Sequence, residues 1–376
     1  MRILLTGSGG GGHLIPLIAV VKELKKLASE LNLIDLEYVY VGPKIETNFS
    51  RQLLLNEDIK IKAIMAFKLR RYFSIHNFID IIKIPIGLIQ SLIILFFYMP
   101  NIVFSKGGYG TIPVVIVSWL YRIPVIIHES DLIGGKANIF ASRFAQKILV
   151  SFSRSLKYFP PIKTALVGNP VRLDLTTGSK ENGRKYFQIN SQKPIILVMG
   201  GSTGAQKIND LILNSLAELT KKYEIIHLTG ENNYQKIIKE IEVEIPGDLR
   251  EFYHPYPSLG AEMKDAYALA DLIISRSGAS AIFEIALVGK PSILIPIGNS
   301  ANNHQREDAY EFEKFGGTKV IEENNLTFHI LITSISEILD NQSTYAQMSQ
   351  AAKSFATPES ARIIAIEILK SAGIIV

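Results

Sequence analysis

Short apolar runs alternate with stretches of helical spacing along most of the chain, the pattern of an α/β protein with parallel sheets. In the first half, Arg2–Thr6, Glu37–Val41, Ile102–Ser105, Pro124–His128 and Lys147–Ser151 read as strands, and Leu14–Leu27 has the apolar spacing of a helix. A second series begins with Pro194–Met199 and continues through Glu224–Leu228, Asp271–Ser275 and Pro291–Pro296. Between the series lie Gly168-Asn169-Pro170 and a polar stretch from Asp174 to Gln192, where a domain boundary belongs. Both halves start alike, with an apolar strand, a glycine cluster and a helix (Ile3–Leu17 and Ile195–Leu213). The expected fold is therefore two Rossmann-like, doubly wound domains facing each other across a cleft. In such sheets ligands bind beyond the carboxyl ends of the strands.

The run Ile84–Met99 carries no charge, but it has only sixteen residues and is interrupted by Pro85, Gly87, Gln90 and Ser91. A spanning helix needs about 20 apolar residues, so a buried or surface-docking helix is expected instead. The opening run Met1–Thr6 is too short for a signal-peptide core and reads as a strand.

Composition narrows the chemistry. A length of 376 residues exceeds what one core usually serves, and 47% hydrophobic against 20% charged residues favours packed cores over disorder. The net charge of +5 favours anionic partners without choosing among nucleic acid, nucleotide phosphates and lipid headgroups. There is no cysteine, which excludes disulfides, thiol nucleophiles and thiolate metal sites. No His, Asp or Glu cluster shows metal-ligand spacing.

Glycine loops follow three of the strands. In Thr6–His13, Gly7, Gly9 and Gly12 satisfy the dinucleotide fingerprint, but the second strand ends Tyr40-Val41-Gly42-Pro43 without the carboxylate such a site wants. A Walker loop fails too, for no Lys-Ser/Thr pair follows. His13 ends this loop at the start of a helix, as a general base or as a residue that bonds the helix-start backbone. The loops Ser105–Thr111 and Gly200–Ala205 resemble phosphate cradles, and together the three suggest one diphosphate ligand or two phosphorylated ones. The stretch Ser275–Glu284 again runs from strand into helix. Glu284 suits two vicinal ribose hydroxyls, or is a solvated charge. The polar stretch Asn302–Arg306 suits sugar hydroxyls, or is an ordinary surface loop.

The ordered set GGGGHLIP (9–16), KGGYGT (106–111), IIHES (126–130), GNPVR (168–172), GGSTGA (200–205), RSGASAIFE (276–284) and NNHQ (302–305) resembles the MurG family across essentially the whole chain. Those bacterial enzymes transfer N-acetylglucosamine from UDP-N-acetylglucosamine to lipid I, making lipid II for peptidoglycan. The resemblance implies the glycosyltransferase B fold, with a first domain of residues 1–169 plus the returning helix 357–376, and a second of 170–356. It implies inversion without a metal or cofactor, the leaving UDP being stabilised by helix termini and backbone amides.

By the same resemblance Gly10, Gly11 and Gly12 line the acceptor loop, His13 is the base, and Tyr109 meets the acceptor's diphosphate. Arg172 and Ser202 contact the nucleotide, and Gly260 reads the uracil. Ala279, Ser280, Ala281, Ile282, Phe283 and Glu284 wrap the nucleotide, with Glu284 on the ribose, while Gln305 holds the donor sugar. Asp131 stands where the family has a sugar-contacting amide; Ser8, Thr203, Ala281 and Phe283 are further departures. The implied partners are UDP-N-acetylglucosamine, a lipid-linked acceptor and an anionic membrane surface at the cytoplasmic face, not nucleic acid. Lys62, Lys68, Arg70, Arg71 and Lys83, interleaved with Phe67, Tyr72, Phe73 and Phe78, suit headgroup docking at about 1 kcal/mol per charge, or form a solvated face. Transfer to another lipid such as diacylglycerol, and hexosamine epimerisation, are the alternatives. A nicotinamide-dependent dehydrogenase is disfavoured by the missing second-strand carboxylate.

Overall fold

A computed structural model describes the chain except residues 34–35, 46, 67–75, 202–204, 245–246, 299–302 and 375–376; within helices the side chains of 76–82, 243–244 and 248 are also left undescribed. The chain divides into two compact units, Met1–Val171 with Thr357–Val376, and Arg172–Ala356.

The first unit is built on β1 (Arg2–Thr6), β2 (Glu37–Gly42), β3 (Lys60–Ala63), β4 (Ile102–Ser105), β5 (Val125–Glu129), β6 (Lys147–Val150) and β7 (Thr164–Leu166). They form one parallel sheet in the order β3-β2-β1-β4-β5-β6-β7. Successive side chains of a strand face opposite sides. Accordingly Ile3 and Leu5 pack in one core layer with Leu14 and Leu17 of the helix Gly11–Glu30, while Leu4 joins Val39, Val103 and Val114 on the other face. The last helix, Ser360–Ser371, closes the first layer with Ile364, Ala365, Ile368 and Leu369. Its return needs Gly168 at φ +81°: a Cβ there would lie 2.2 Å from Thr357 Oγ1. Ser360 Oγ donates to the Val167 carbonyl beside it at 2.7 Å.

The second unit repeats the plan with β8 (Ile195–Met199), β9 (Glu224–Leu228), β10 (Tyr253–Tyr256), β11 (Leu272–Ser275), β12 (Ser292–Leu294) and β13 (Thr318–Val320), parallel in the order β10-β9-β8-β11-β12-β13. Ile196 and Val198 pack on one face and Ile195, Leu197 and Met199 on the other. Both sheets thus share the doubly wound order, as the fold class read from the sequence requires. Strand order reverses between β1 and β4 and between β8 and β11, so four of the sequence's loops leave strands at the two switch points.

The uncharged run near residue 90 is part of the helix His76–Tyr98, which contains Pro85. Its Ser91 and Leu95 are buried, whereas Ile89, Ile93, Phe96 and Phe97 face outward. Among the described residues no helix is long and apolar enough to cross a membrane.

Candidate active site

In the first unit the loops after β1 and β4 are joined through one imidazole. The helix Gly11–Glu30 begins at Gly10 with no side-chain cap, leaving its first amides to other partners. Gly10 and Gly12 are exposed, and a Cβ at either would meet nothing within 4 Å. Packing within the chain therefore does not explain these glycines, and the missing Cβ leaves their backbone open to close approach. His13, half-buried in the first turn, places Nδ1 3.0 Å from the carbonyl oxygen of Lys106. Tyr109 follows in a short turn of 3-10 helix, Tyr109–Thr111, after Gly107 and Gly108. Gly107, at φ +82°, packs against Asn138 so closely that a Cβ would lie 2.3 Å from its Oδ1.

Beneath these loops lies a buried polar cluster that sequence reasoning missed. Lys106 Nζ donates to Ser130 Oγ at 2.5 Å and Asn169 Oδ1 at 3.2 Å, and sits 2.7 Å from His128 Nδ1. Burial pushes the Lys106 ammonium down to about 7, against the pull of Glu129 and Asp131. Burial, and then the neighbouring Asp131, pushes Glu129 up to about 7. The Glu129 carboxylate accepts from Asp131 N, Gly135 N and Asn138 Nδ2 at 3.1, 2.8 and 3.0 Å. It is part of the scaffold. Asp131 is half-buried at the end of β5, its carbonyl accepting from Ser155 Oγ at 2.9 Å.

In the second unit, Glu284 is the sixth residue of the helix Ala279–Val288, whose N-cap Gly278 gives no side-chain cap. Tyr267 OH donates to Glu284 Oε2 at 3.0 Å, and Arg172 Nε lies 3.6 Å from Oε1. That separation exceeds a hydrogen bond, and neither Arg172 Nε nor Glu284 Oε1 has a hydrogen-bond partner among the described residues. The pair thus has unused bonding capacity. Ser280 and Ala281 are half-exposed, whereas Ala279 and Ile282 are buried and Phe283 packs on Phe355 with ring centroids 5.3 Å apart. Gln305 is the second residue of the helix His304–Lys314; its Oε1 accepts from Ile297 N at 3.2 Å, and its carbonyl accepts from Ser277 Oγ at 2.8 Å. Gly260 N donates to Glu262 Oε2 at 3.2 Å. Ser202 lies outside the described residues. No group of three or more His, Cys, Asp or Glu side chains that could hold a metal was found among the described residues.

The first unit also exposes an apolar face. Phe96 and Phe97, 62% and 75% exposed, adjoin Ile89 and Ile93 on the helix His76–Tyr98. Tyr121, beyond the helix Ile112–Leu120, donates to the Leu92 carbonyl at 3.4 Å, and the neighbouring Trp119 and Leu120 are exposed. Trp119 meets Phe144 at 5.5 Å, and Phe144 meets Phe140 at 5.6 Å, with Arg143 over the Phe140 ring. Of the basic and aromatic set read from the sequence, Lys62 and Lys83 are described, whereas Phe67, Lys68, Arg70, Arg71, Tyr72 and Phe73 and the Phe78 side chain are not.

Two parallel, doubly wound units with uncapped helices and glycine loops at their switch points define a two-unit α/β protein built to receive phosphorylated ligands. Residues 3–150 match the glycosyltransferase family 28 N-terminal domain and residues 195–363 its C-terminal domain, and the chain belongs to that family. It is 38% identical, over 94% of both chains, to the UDP-N-acetylglucosamine--N-acetylmuramyl-(pentapeptide) pyrophosphoryl-undecaprenol N-acetylglucosamine transferase of Clostridium perfringens (strain SM101 / Type A). To a protein of the same name, numbered 2, from Bacillus cereus (strain ATCC 10987 / NRS 248), it is 36% identical over 92% of this chain and 93% of that one. Acinetobacter baumannii MurG is similar in structure, with TM-score 0.70 and 22% identity over 98% and 99% of the two chains. A Neisseria meningitidis UDP-GlcNAc 2-epimerase bound to UDP-GlcNAc gives TM-score 0.72 at 17% identity over 98% and 100%. At these identities both structures speak for the fold alone.

Proposed function

We propose that the chain transfers N-acetylglucosamine from UDP-N-acetylglucosamine to undecaprenyl-diphosphate-linked N-acetylmuramoyl-pentapeptide, with inversion, while held peripherally at the cytoplasmic face of a membrane. The observation that carries this reading is the 38% identity to a transferase of that name across 94% of both chains. The epimerase neighbours share fold at lower identity and favour no second reading.

The first unit takes the acceptor and the second the donor. Gly10, Gly11 and Gly12 with Tyr109 receive the acceptor's diphosphate, where amides at an uncapped helix start favour negative charge. His13 removes the proton of the acceptor hydroxyl. That oxygen bonds to the anomeric carbon from the face opposite the diphosphate, whose bond breaks, and UDP leaves with the electron pair. In the second unit Arg172, Ser202 and the amides of Ala279, Ser280 and Ala281 meet the nucleotide, with Ile282 and Phe283 fixing the helix beneath. Glu284 takes the ribose hydroxyls, Gly260 the uracil after Glu262 yields its amide, and Gln305 the sugar. Asp131, where the family has a sugar-contacting amide, bears on the choice of donor sugar. Fixed dipoles aimed at the departing diphosphate do the work that a cation does elsewhere.

The exposed apolar face around Phe96, Phe97 and Trp119 docks on the membrane, a role that fits an isolated surface of large apolar side chains. Incubation with UDP-N-acetylglucosamine, with and without the lipid-linked acceptor, tests the reaction type: UDP should appear only with acceptor. Isomerisation of the donor without acceptor would replace the reading with an epimerase.

A further inference from the structure

Four neighbouring strands of the second sheet, β8, β11, β12 and β13, send the segments that follow them to one side chain. Glu323 opens a short turn of 3-10 helix, Glu323–Asn325, just beyond β13. Its side chain is only 7% exposed, and each oxygen is engaged. Oε1 lies 2.5 Å from Arg276 Nη2, in the loop after β11. Oε2 accepts from Lys207 Nζ at 3.0 Å and from Gly298 N at 3.1 Å. Lys207 sits in the first turn of the helix Gln206–Lys222, immediately after the glycine loop that follows β8. Gly298 belongs to the segment between β12 and Gln305. Arg276 extends the network, donating from Nη1 to the carbonyls of Ile295 and Pro296 at 3.2 and 3.4 Å.

None of these contacts is needed to form the sheet, whose strands pair through their own backbone. They fix instead the segments beyond the strand ends, where loops are otherwise the most mobile part of such a fold. Burial raises the Glu323 carboxyl, but the bonds from Lys207, Gly298 and Arg276 outweigh it and leave it below the usual range, so it is charged. Remove that charge, and the largely buried Arg276 loses this counter-ion.

We infer that Glu323 is a positioning residue for donor binding, holding Lys207, Arg276 and Gly298, which follow β8, β11 and β12, in the one arrangement that receives a nucleotide sugar. The inference rests on the reading that these loops form the donor site. Glu323 acts through the loops. Segments ordered before the ligand arrives lose less freedom on binding, so the tie is read as donor affinity.

Titration of UDP into the full chain, beside Glu323→Ala and Glu323→Gln, tests it, with melting curves to establish folding. Misplacing several ligand loops together should raise the UDP Kd of Glu323→Ala about 10- to 100-fold. Glu323→Gln keeps an acceptor for Gly298 N but loses the charge, and should weaken UDP by a smaller factor. The donor KM should rise in step while the acceptor KM stays within about twofold, a split that mere loss of folded enzyme does not produce. If Glu323→Ala does not fold, the Gln variant carries the test. Folded variants that bind UDP as tightly as the wild type would overturn the inference and leave the donor site standing. A wild-type chain that binds no UDP would instead overturn the donor-site reading, and this inference with it.

Discussion

His13 and Lys106, 93 residues apart in the chain, meet through a ring nitrogen and a main-chain oxygen 3.0 Å apart. A carbonyl only accepts, so Nδ1 carries a proton and the lone pair of the neutral imidazole belongs to Nε2. The loop after β4 thereby sets the tautomer of the residue that opens the helix after β1. The side chain of Lys106 holds that loop in place from below through Ser130 and Asn169.

A positioned base contributes about 10²–10⁴-fold to rate. His13→Ala should therefore lower kcat by that order and leave the UDP Kd within about twofold, because the nucleotide is assigned to the other unit. His13→Asn can still donate to the Lys106 carbonyl yet cannot act as a base near neutral pH. Near-normal kcat in the Asn variant would make His13 a structural residue.

Glu284→Ala should weaken UDP binding, since each hydrogen bond from a hydroxyl to the carboxylate contributes about 1.5–3 kcal/mol. Tyr267→Phe removes only the bond that orients Oε2, and should weaken UDP several-fold less than Glu284→Ala does. Titration of both variants decides the point: unchanged affinity in Glu284→Ala removes it from the ribose site.

Glu129 gives a pH dependence of defined sign. With its carboxyl raised to about 7 by burial and by Asp131, the folded chain keeps a proton that the unfolded chain releases near 4.5. The stability it contributes is complete below about pH 4.5 and is lost as pH rises through about 7. Denaturant unfolding across that window should show the wild type losing stability relative to Glu129→Gln. Parallel curves would contradict the assignment.

The outward face of the helix His76–Tyr98 predicts a binding phenotype. A fully buried Phe contributes about 1.5–3 kcal/mol, so replacing both Phe96 and Phe97 with Ser should weaken association with anionic vesicles by at least about tenfold. Sedimentation with vesicles measures it. Equal binding by the double variant would rule that face out as the docking surface.

The strands that could be read from the sequence were the central ones. β1, β2, β4, β5 and β6, and β8, β9, β11 and β12, are flanked on both sides and carry mostly apolar residues. The strands missed, β3, β7, β10 and β13, are the four edges, and their sequences, Lys60–Ala63, Thr164–Leu166, Tyr253–Tyr256 and Thr318–Val320, lack the long apolar run of a doubly covered strand. The loops were legible because glycine and histidine at a strand end are visible locally. Their supports were not. Lys106 looked like part of a glycine motif until the fold buried it, and the company of Glu284 comes from Tyr267 on another helix. Glu323 gave no local signal at all, because its partners lie 25 to 116 residues away. The helix near residue 90 was expected to be buried or to dock on a surface, and its burial on one face with exposed Phe on the other follows from having too many apolar residues for a single buried stripe.

The most direct measurement of the central claim is transfer of labelled N-acetylglucosamine from UDP-N-acetylglucosamine, in EDTA, to undecaprenyl-diphosphate-linked N-acetylmuramoyl-pentapeptide, with diacylglycerol as a parallel acceptor. The account predicts a β-linked disaccharide on the diphosphate-linked acceptor, none on diacylglycerol, and activity that survives chelation because helix-start amides stabilise the leaving UDP. Label appearing on diacylglycerol instead, or transfer abolished by EDTA and restored by magnesium, would contradict it.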